Sequence, residues 1–222
     1  MSTILGSIFY VMSAMFASKV IGVVRSFWLA RILDPADYGM WTFVVLISSY
    51  TPILCLGMGE ALLKKVPFFL GNRDTGSVRE VEGGVLSFTI LLSLACVPLF
   101  ALLPRMPAAG SFARFLLPVQ LMLFAALFSF FSGFFTLRLQ AYQKFAFLSA
   151  VNTGRAIALL ALQIGFGLLF GLVGALIGFL LCEVCICLWA AFLNTKLPNS
   201  LCLRFSMPLY GSLIRTGLPI TF

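Results

Sequence analysis

The residues of this sequence that could do chemistry are ionisable side chains placed inside long apolar stretches. Arg25 lies near the end of the first stretch, and Arg155 and Glu183 lie within a later one that runs from Phe145 to Leu193. Such groups are costly in lipid, so they normally face a helix bundle or an aqueous cavity. A guanidinium presents a planar fork of donors that suits carboxylate and phosphate groups. These residue types therefore predict ion pairing or anion binding.

Arg25 shares one face of its predicted helix with small and polar residues. At about 100° per residue, Ser7, Ala14, Ser18 and Arg25 fall within a stripe about 40° wide. A face of this kind is typical of a cavity wall, which makes Ser7, Ser18 and Arg25 candidate substrate-binding residues. In the alternative interpretation, Arg25 extends to the outer membrane interface and its charged end lies among the headgroups.

Arg155 and Glu183 are predicted to lie at the same depth in the membrane. Each is about ten residues from the cytoplasmic end of its own helix, and the two helices are consecutive and antiparallel. We expect an intramembrane ion pair, because an unpaired charge at this depth would cost several kcal/mol. Asn152 lies near Arg155 on the same side of its helix, so a polar cavity lining that includes Asn152 as a substrate-binding residue is the alternative.

No catalytic, cofactor or metal site is predicted. The sequence has no His and no Gly-Lys-Thr or Gly-Lys-Ser phosphate-binding loop. Cys182, Cys185 and Cys187 lie in an apolar stretch without a fourth ligand nearby, which disfavours a zinc site. We therefore expect a protein that is not an enzyme and that carries neither a cofactor nor a metal.

Membrane-spanning helices must position these side chains. Hydrophobic residues make up 61% of the chain and charged residues 10%, and the mean hydropathy is +1.09. The runs Tyr38 to Gly59, Gly83 to Pro104 and Phe115 to Leu137 contain no charge, and each can cross a bilayer, which takes about 20 residues. The 15 Lys and Arg residues exceed the 7 Asp and Glu residues but lie scattered between apolar segments, which indicates a lipid bilayer as partner and no nucleic acid.

The predicted fold class is an all-α polytopic membrane bundle with six transmembrane helices and the start of a seventh. The long stretch after Phe145 is too long for one span, so we divide it at the glycines Gly165, Gly167 and Gly171. Residues 1–195 then form an N-terminal six-helix lobe, and residues 196–222 form a cytoplasmic connection and the start of a truncated second lobe. The predicted helices run from about Ile4 to Ile32, from Pro35 past Gly57, from Ser77 onward, from Phe115 to Leu137, from Ala146 to Leu169 and from Leu172 to Leu193.

Basic residues predict the orientation of these helices. Nine lie after helices two, four and six, and four lie on the opposite side. The side richer in Lys and Arg normally faces the cytoplasm, so both termini are predicted to be cytoplasmic. The nine are Lys64, Lys65, Arg73, Arg79, Arg138, Lys144, Lys196, Arg204 and Arg215, and the four are Arg25, Arg31, Arg105 and Arg114.

Two segments resemble the opening of a known transporter family. The segment Arg25 to Gly39 reads RSFWLARILDPADYG, and the segment Leu56 to Pro67 reads LGMGEALLKKVP and is followed by Gly71. Both are similar to the polysaccharide-biosynthesis and O-antigen flippases of the multidrug/oligosaccharidyl-lipid/polysaccharide exporter superfamily. Members of this family have two six-helix lobes, and this chain stops after one, so we expect a fragment or a half that needs a partner.

The resemblance implies a function, a substrate and partners. It implies that a polyprenyl-pyrophosphate-linked oligosaccharide, an O-antigen or exopolysaccharide repeat unit, is moved by alternating access to the outer leaflet of the bacterial inner membrane. Arg25 matches a basic position in the first helix of related flippases. The implied partners are a missing second lobe or another copy of the chain, with a glycan polymerase and glycosyltransferases. The alternatives are a cation-coupled multidrug antiporter of the same superfamily and a non-transporting scaffold of a glycan-synthesis complex.

Overall fold

The computed structural model of the chain describes residues 2–50, 55–102, 113–198, 201, 203 and 207–221. These residues form helices and turns and no strand, so the all-α prediction is confirmed. The helices are α1 (Ser2–Ile32), α2 (Pro35–Ser49), α3 (Met58–Gly71), α4 (Thr75–Leu102), α5 (Ala113–Ala141), α6 (Phe145–Asn194) and α7 (Met207–Thr221). Stretches that are long and apolar enough to cross a membrane are Met12–Ile32, Leu116–Ala141 and Phe145–Asn194.

The second predicted helix is divided in two, so its continuous course past Gly57 is wrong. α2 ends at Ser49, and a turn at residues 55–57 precedes α3. Leu56 and Gly57 in this turn have left-handed φ angles of 48° and 73°, which an α-helix does not contain. The uninterrupted apolar sequence concealed this break, because no change of polarity accompanies it. α3 then packs into the bundle core, where Ala61 and Leu62 are fully buried.

The start of α4 lies earlier than the sequence indicated. The sequence predicted a helix from Ser77 onward, but the helix begins at Thr75 and Asp74 accepts the capping hydrogen bonds. The Ser77 backbone N–H donates to Asp74 Oδ1 at 3.1 Å, and the Ser77 hydroxyl donates to Oδ2 at 2.5 Å. These bonds favour the ionised carboxylate and hold the pKa of Asp74 below its ordinary value.

α6 is a hairpin of two helical arms, residues 145–169 and 172–194. The backbone leaves the helical conformation at Phe170 and Gly171, and Gly171 has φ 60° and ψ −137°. The break therefore falls at the predicted glycine cluster. A Cβ on Gly174 would collide with the carbonyl oxygen of Phe166, and one on Gly178 would lie 2.5 Å from the carbonyl oxygen of Leu162. The arms thus pack backbone against backbone, as small residues four apart allow.

Three groups of buried apolar residues hold the described helices together. One joins α3, α4, α5 and α7 and includes Leu62, Val81 and Leu213. A second joins α1, α2, α5 and the later arm of α6, and the third lies between α5 and the two arms of α6. α1 packs mainly on α6, and many of its large apolar side chains are exposed, including Phe16, Val23 and Phe27. One side of the α1/α6 contact is therefore uncovered by the rest of the bundle.

Arg138 is not the exposed loop cation that the orientation argument assumed. Its guanidinium is 1% exposed and forms a bidentate pair with Glu82, with Nε to Oε1 at 3.0 Å and Nη2 to Oε2 at 3.1 Å. Nη1 lies 3.5 Å from Asn194 Oδ1, and the Asn194 amide donates to the carbonyl oxygens of Phe135 and Ala190. Without Arg138, eight Lys and Arg residues remain on the predicted cytoplasmic side, against four on the opposite side. The excess of basic residues therefore still predicts the same orientation.

Candidate functional site

Two residues of the predicted polar face of α1, Ser18 and Arg25, line a cavity between α1 and the first arm of α6. We call it the α1/α6 cavity, and its volume is about 590 Å³. Its wall contains three cationic side chains and no acidic one among the described lining residues. The lining residues are Met15, Ser18, Lys19, Gly22, Val23, Arg25, Ser26, Asn152, Arg155, Ala156 and Leu159. The geometry thus gathers positive charge at a surface that is otherwise mostly apolar.

α1 presents Ser18 and Arg25 to this cavity, two of the predicted substrate-binding residues. The Ser18 hydroxyl donates to the Ala14 carbonyl oxygen at 2.8 Å, and the Ser26 hydroxyl donates to that of Gly22 at 3.0 Å. Arg25 is half-buried, and its buried Nε has no hydrogen-bond partner among the described residues. A buried N–H without a partner is costly, so a ligand that accepts this hydrogen would be stabilised.

The remaining polar residues of α1 and α6 differ in whether they line the cavity. Asn152 lines the cavity, whereas Ser7 belongs to α1 and its side chain lies outside the described part. Lys19 also lines the cavity, because the lining of α1 extends beyond the Ser18 face to the side that carries Met15, Gly22 and Ser26. Gln163 is fully buried on α6, and neither of its amide atoms has a described partner.

Arg155 and Glu183 face each other across the two arms of α6. Arg155 Nη2 lies 3.4 Å from Glu183 Oε2 and 2.7 Å from the hydroxyl oxygen of Ser132 on α5. The Ser132 hydroxyl lies 3.2 Å from the same Glu183 oxygen. The sequence offered an ion pair and a polar cavity lining as alternatives for this residue. Arg155 does both, because it pairs with Glu183 and also lines the α1/α6 cavity.

A second space lies on the far side of Arg155. This chamber of about 380 Å³ is lined by Arg155 and by parts of the turn before α3, of α3, α4 and α5. Its walls include Phe88, Phe130 and Phe134, and Glu60 is the one acidic residue among the described residues of its lining. The predicted second helix ran past Gly57, so Glu60 was expected on its continuation and not at the start of a separate helix. Recognising the break before α3 would have moved Glu60 to the start of a buried helix.

No arrangement for metal binding is found in the part of the chain that the structure describes. No group of three or more His, Cys, Asp or Glu side chains converges there. Cys182 is buried and its thiol lies 3.8 Å from the Arg155 carbonyl oxygen, while Cys185 is exposed. The buried thiol thus occupies a packing position between the arms of α6.

Solved structures share this fold along almost the whole chain. A transporter of the MOP superfamily from Pyrococcus furiosus, described as having a binding pocket of reverse polarity that suggests a different function, superposes with a TM-score of 0.78 at 18% identity. An outward-facing multidrug resistance MATE family transporter of the same superfamily gives 0.78 at 18% identity, and a MATE structure in the straight conformation gives 0.80 at 18%. No protein-family model and no curated protein matches the chain.

The extent of these matches fixes what part of the fold is present. Each covers 95% of this chain and 50% of the solved chain. The chain therefore spans about half the length of the solved transporters that it matches. It has the all-helical fold of one half of a MATE transporter of the MOP superfamily.

Proposed function

We propose that this chain is one lobe of a membrane transporter and that the α1/α6 cavity binds the anionic headgroup of an amphiphilic substrate. The observation that carries the proposal is the convergence of Lys19, Arg25 and Arg155 on one cavity with no acidic residue among its described lining. Charge of one sign in a low-dielectric cleft favours a ligand of opposite sign. A guanidinium is well suited to phosphate, since it donates two parallel hydrogen bonds.

The apolar part of the cavity supports an amphiphile rather than a small inorganic anion. Met15, Val23 and Leu159 line the space beside the cations. The uncovered side of α1, with Phe16 and Phe27 exposed, continues the apolar surface outward. A lipid-linked pyrophosphate combines a charged group for the arginines with a hydrocarbon chain for this surface. Together with the flippase-like segments of the sequence, this favours a polyprenyl-pyrophosphate-linked oligosaccharide, the repeat unit of an O-antigen or exopolysaccharide.

The proposed transport requires a second lobe. Alternating access needs a cavity that two bundles enclose and expose to each side in turn. The other half is either a further part of the same protein or a second copy of this chain. The proposed location is the bacterial inner membrane with both termini in the cytoplasm, and glycosyltransferases and a glycan polymerase would supply and consume the substrate.

A cation-coupled multidrug antiporter is the second candidate, and two findings favour it. One of the structural neighbours reported above is described as a multidrug resistance MATE family transporter and another as MATE, and none of them is described as an oligosaccharide flippase. The chamber behind Arg155 also combines the Glu60 carboxylate with three phenylalanine rings, groups that attract an organic cation. The polarity of the α1/α6 cavity favours the anionic substrate, whereas the chamber and the neighbours favour the cationic one.

Ligand binding separates these candidates. The purified chain in lipid nanodiscs should bind farnesyl pyrophosphate at least about tenfold more tightly than uncharged farnesol, because the pyrophosphate adds charge-assisted hydrogen bonds. Arg25→Ala should remove most of that preference, and Arg25→Lys should keep part of it, because Lys supplies charge without the fork. Arg31→Ala is the matched control, since Arg31 is exposed on the same helix outside the cavity lining.

The outcomes have distinct meanings. Equal binding of farnesyl pyrophosphate and farnesol would refute the anionic-headgroup proposal. Binding of ethidium that depends on Glu60 and competes with protons would support the antiporter instead. A chain that binds neither probe, while its membrane level stays normal, would favour the glycan-synthesis scaffold. In cells, the whole transporter carrying Arg25→Ala should lose glycan export at an unchanged protein level, whereas normal export would assign Arg25 to interface anchoring.

A further inference from the structure

Ser132 is the side chain through which Arg155 is held. It is fully buried on α5, and its hydroxyl oxygen lies 2.7 Å from Arg155 Nη2. The direct contact between Arg155 and Glu183 is longer, at 3.4 Å, which is near the limit of a useful hydrogen bond. The hydroxyl is also 3.2 Å from Glu183 Oε2 and 3.1 Å from the Ser129 carbonyl oxygen, so it accepts from the arginine and shares its one hydrogen between the carboxylate and that carbonyl. The shortest contact of the Arg155 guanidinium with a described side chain is therefore the one with the Ser132 hydroxyl.

The remaining donors of Arg155 are uncommitted. Both contacts of its guanidinium with described side chains are made by Nη2, and the buried Nε has no partner. An arginine has five N–H donors, so fixing one nitrogen leaves the N–H groups of Nη1 and Nε for a ligand. Among the described lining residues, Arg155 is also the one that the α1/α6 cavity and the chamber share. Its side-chain conformation therefore determines which of the two spaces receives its charge.

We infer that Ser132 is a positioning residue for anion recognition. Its hydroxyl bridges Glu183 and Arg155 and holds the guanidinium where its free donors can bind an anion in the α1/α6 cavity. This inference rests on the proposed anion-binding function and adds to it a residue that never contacts the ligand. An arginine that is fixed before binding loses less rotamer freedom when the ligand arrives, and that difference appears as affinity. Without the Ser132 hydroxyl, the long Glu183 contact is the one polar contact with a described side chain that still restrains the Arg155 guanidinium, and the side chain can turn toward the chamber.

The experiment compares variants of the chain in lipid nanodiscs, titrated with farnesyl pyrophosphate and with farnesol. Ser132→Ala should weaken farnesyl pyrophosphate binding about tenfold and leave farnesol binding unchanged. Ser132→Thr retains the hydroxyl and should restore most of the affinity. Ser129→Ala is the matched control, because Ser129 lies one turn earlier on α5 and only its carbonyl oxygen contacts Ser132. If Ser132 had only a structural role, its substitution would weaken the binding of farnesyl pyrophosphate and of farnesol alike. The loss of affinity would then parallel the loss of thermal stability.

A near-isosteric variant keeps the test decisive if the alanine variant does not accumulate. Ser132→Cys preserves the size of the side chain and replaces the hydroxyl with a weak donor and acceptor. It should show the same selective loss for farnesyl pyrophosphate. Wild-type affinity in Ser132→Ala or Ser132→Cys would overturn the inference, and so would equal losses for the two ligands. If the wild-type chain itself shows no preference for the pyrophosphate, the proposed anion-binding function is refuted. If the wild-type chain shows the preference and the Ser132 variants keep it, only the role of Ser132 is refuted.

Discussion

Replacing Arg138 by methionine should destabilise the bundle more than any substitution of an exposed basic residue. The change removes both hydrogen bonds to Glu82 and leaves that carboxylate at 0% exposure without its counter-ion. Removing one member of a buried pair typically costs about 3–5 kcal/mol, because the remaining charge keeps its desolvation penalty. Loss of the contact with Asn194 contributes less to the destabilisation, because Arg138 Nη1 and Asn194 Oδ1 are 3.5 Å apart and their hydrogen bond is weak.

Thermal unfolding of the purified chain in detergent, followed by size-exclusion chromatography, measures this effect. At about 2–4 °C per kcal/mol for a chain of this length, the midpoint should fall by roughly 10 °C. Arg79→Met is the matched control, because Arg79 is exposed on α4, and its midpoint should stay within about 2 °C of the wild type.

The double variant Glu82→Leu with Arg138→Met separates the stranded charge from lost packing. Its midpoint should recover most of the loss, because two apolar side chains of similar size replace a buried ion pair at little net cost. An Arg138→Met protein that melts with the wild type would refute the burial of this pair. A double variant no more stable than the single one would show that packing, and not the uncompensated carboxylate, dominates.

Three further predictions concern the hairpin and the topology. Arg155→Glu and Glu183→Arg should each lower the amount of folded protein, and the double swap should restore part of it; normal levels of both single variants would contradict their pairing. Gly174→Ala should lower the free energy of unfolding by about 1–3 kcal/mol, because its methyl group would collide with the Phe166 carbonyl. Gly165→Ala is the control, since the space around Gly165 is open and its thermal midpoint should not change. Equal midpoints for the two variants would rule out the close packing of the arms. Single cysteines at Asn72 and Gln143, in the exposed turns before α4 and α6, should react with impermeant maleimide only from the cytoplasmic side, and labelling of either from outside would reverse the orientation.

The sequence was sufficient to predict features that depend on composition, helix period and glycine. It indicated a membrane bundle, a hairpin that turns near Gly171, and a polar face on α1 that includes Ser18 and Arg25. These follow from local rules: apolar length fixes the span, the 3.6-residue period fixes the face, and a left-handed φ favours glycine. The equal depth of Arg155 and Glu183 follows from the same arithmetic, once the hairpin is recognised.

Features that depend on tertiary contacts were missed. The break before Met58 lies in a uniformly apolar stretch, so no change of polarity marks it, and the second helix was consequently predicted to continue past Gly57. Arg138 was counted as a loop cation, because a basic residue at a helix end looks the same whether it is solvated or buried against a partner. The depth argument applied to Arg155 could have been extended to Glu82 and Arg138, which occupy adjoining ends of consecutive helices. Ser132 carries no sequence signal, since serine is common in membrane helices.

The α6 hairpin has a consequence for how the chain enters the membrane during synthesis. An arginine at the centre of a single inserting helix costs about 2.5–3.5 kcal/mol. The first arm contains Arg155, and the carboxylate that accompanies it, Glu183, emerges only with the second arm, after the turn at Gly171. Insertion of both arms as one preassembled pair would carry the two charges into lipid already neutralised. The glycines that bring the two backbones together thus link the order of synthesis to the energetics of membrane integration, because the paired arms enter lipid at a lower free-energy cost than the first arm alone.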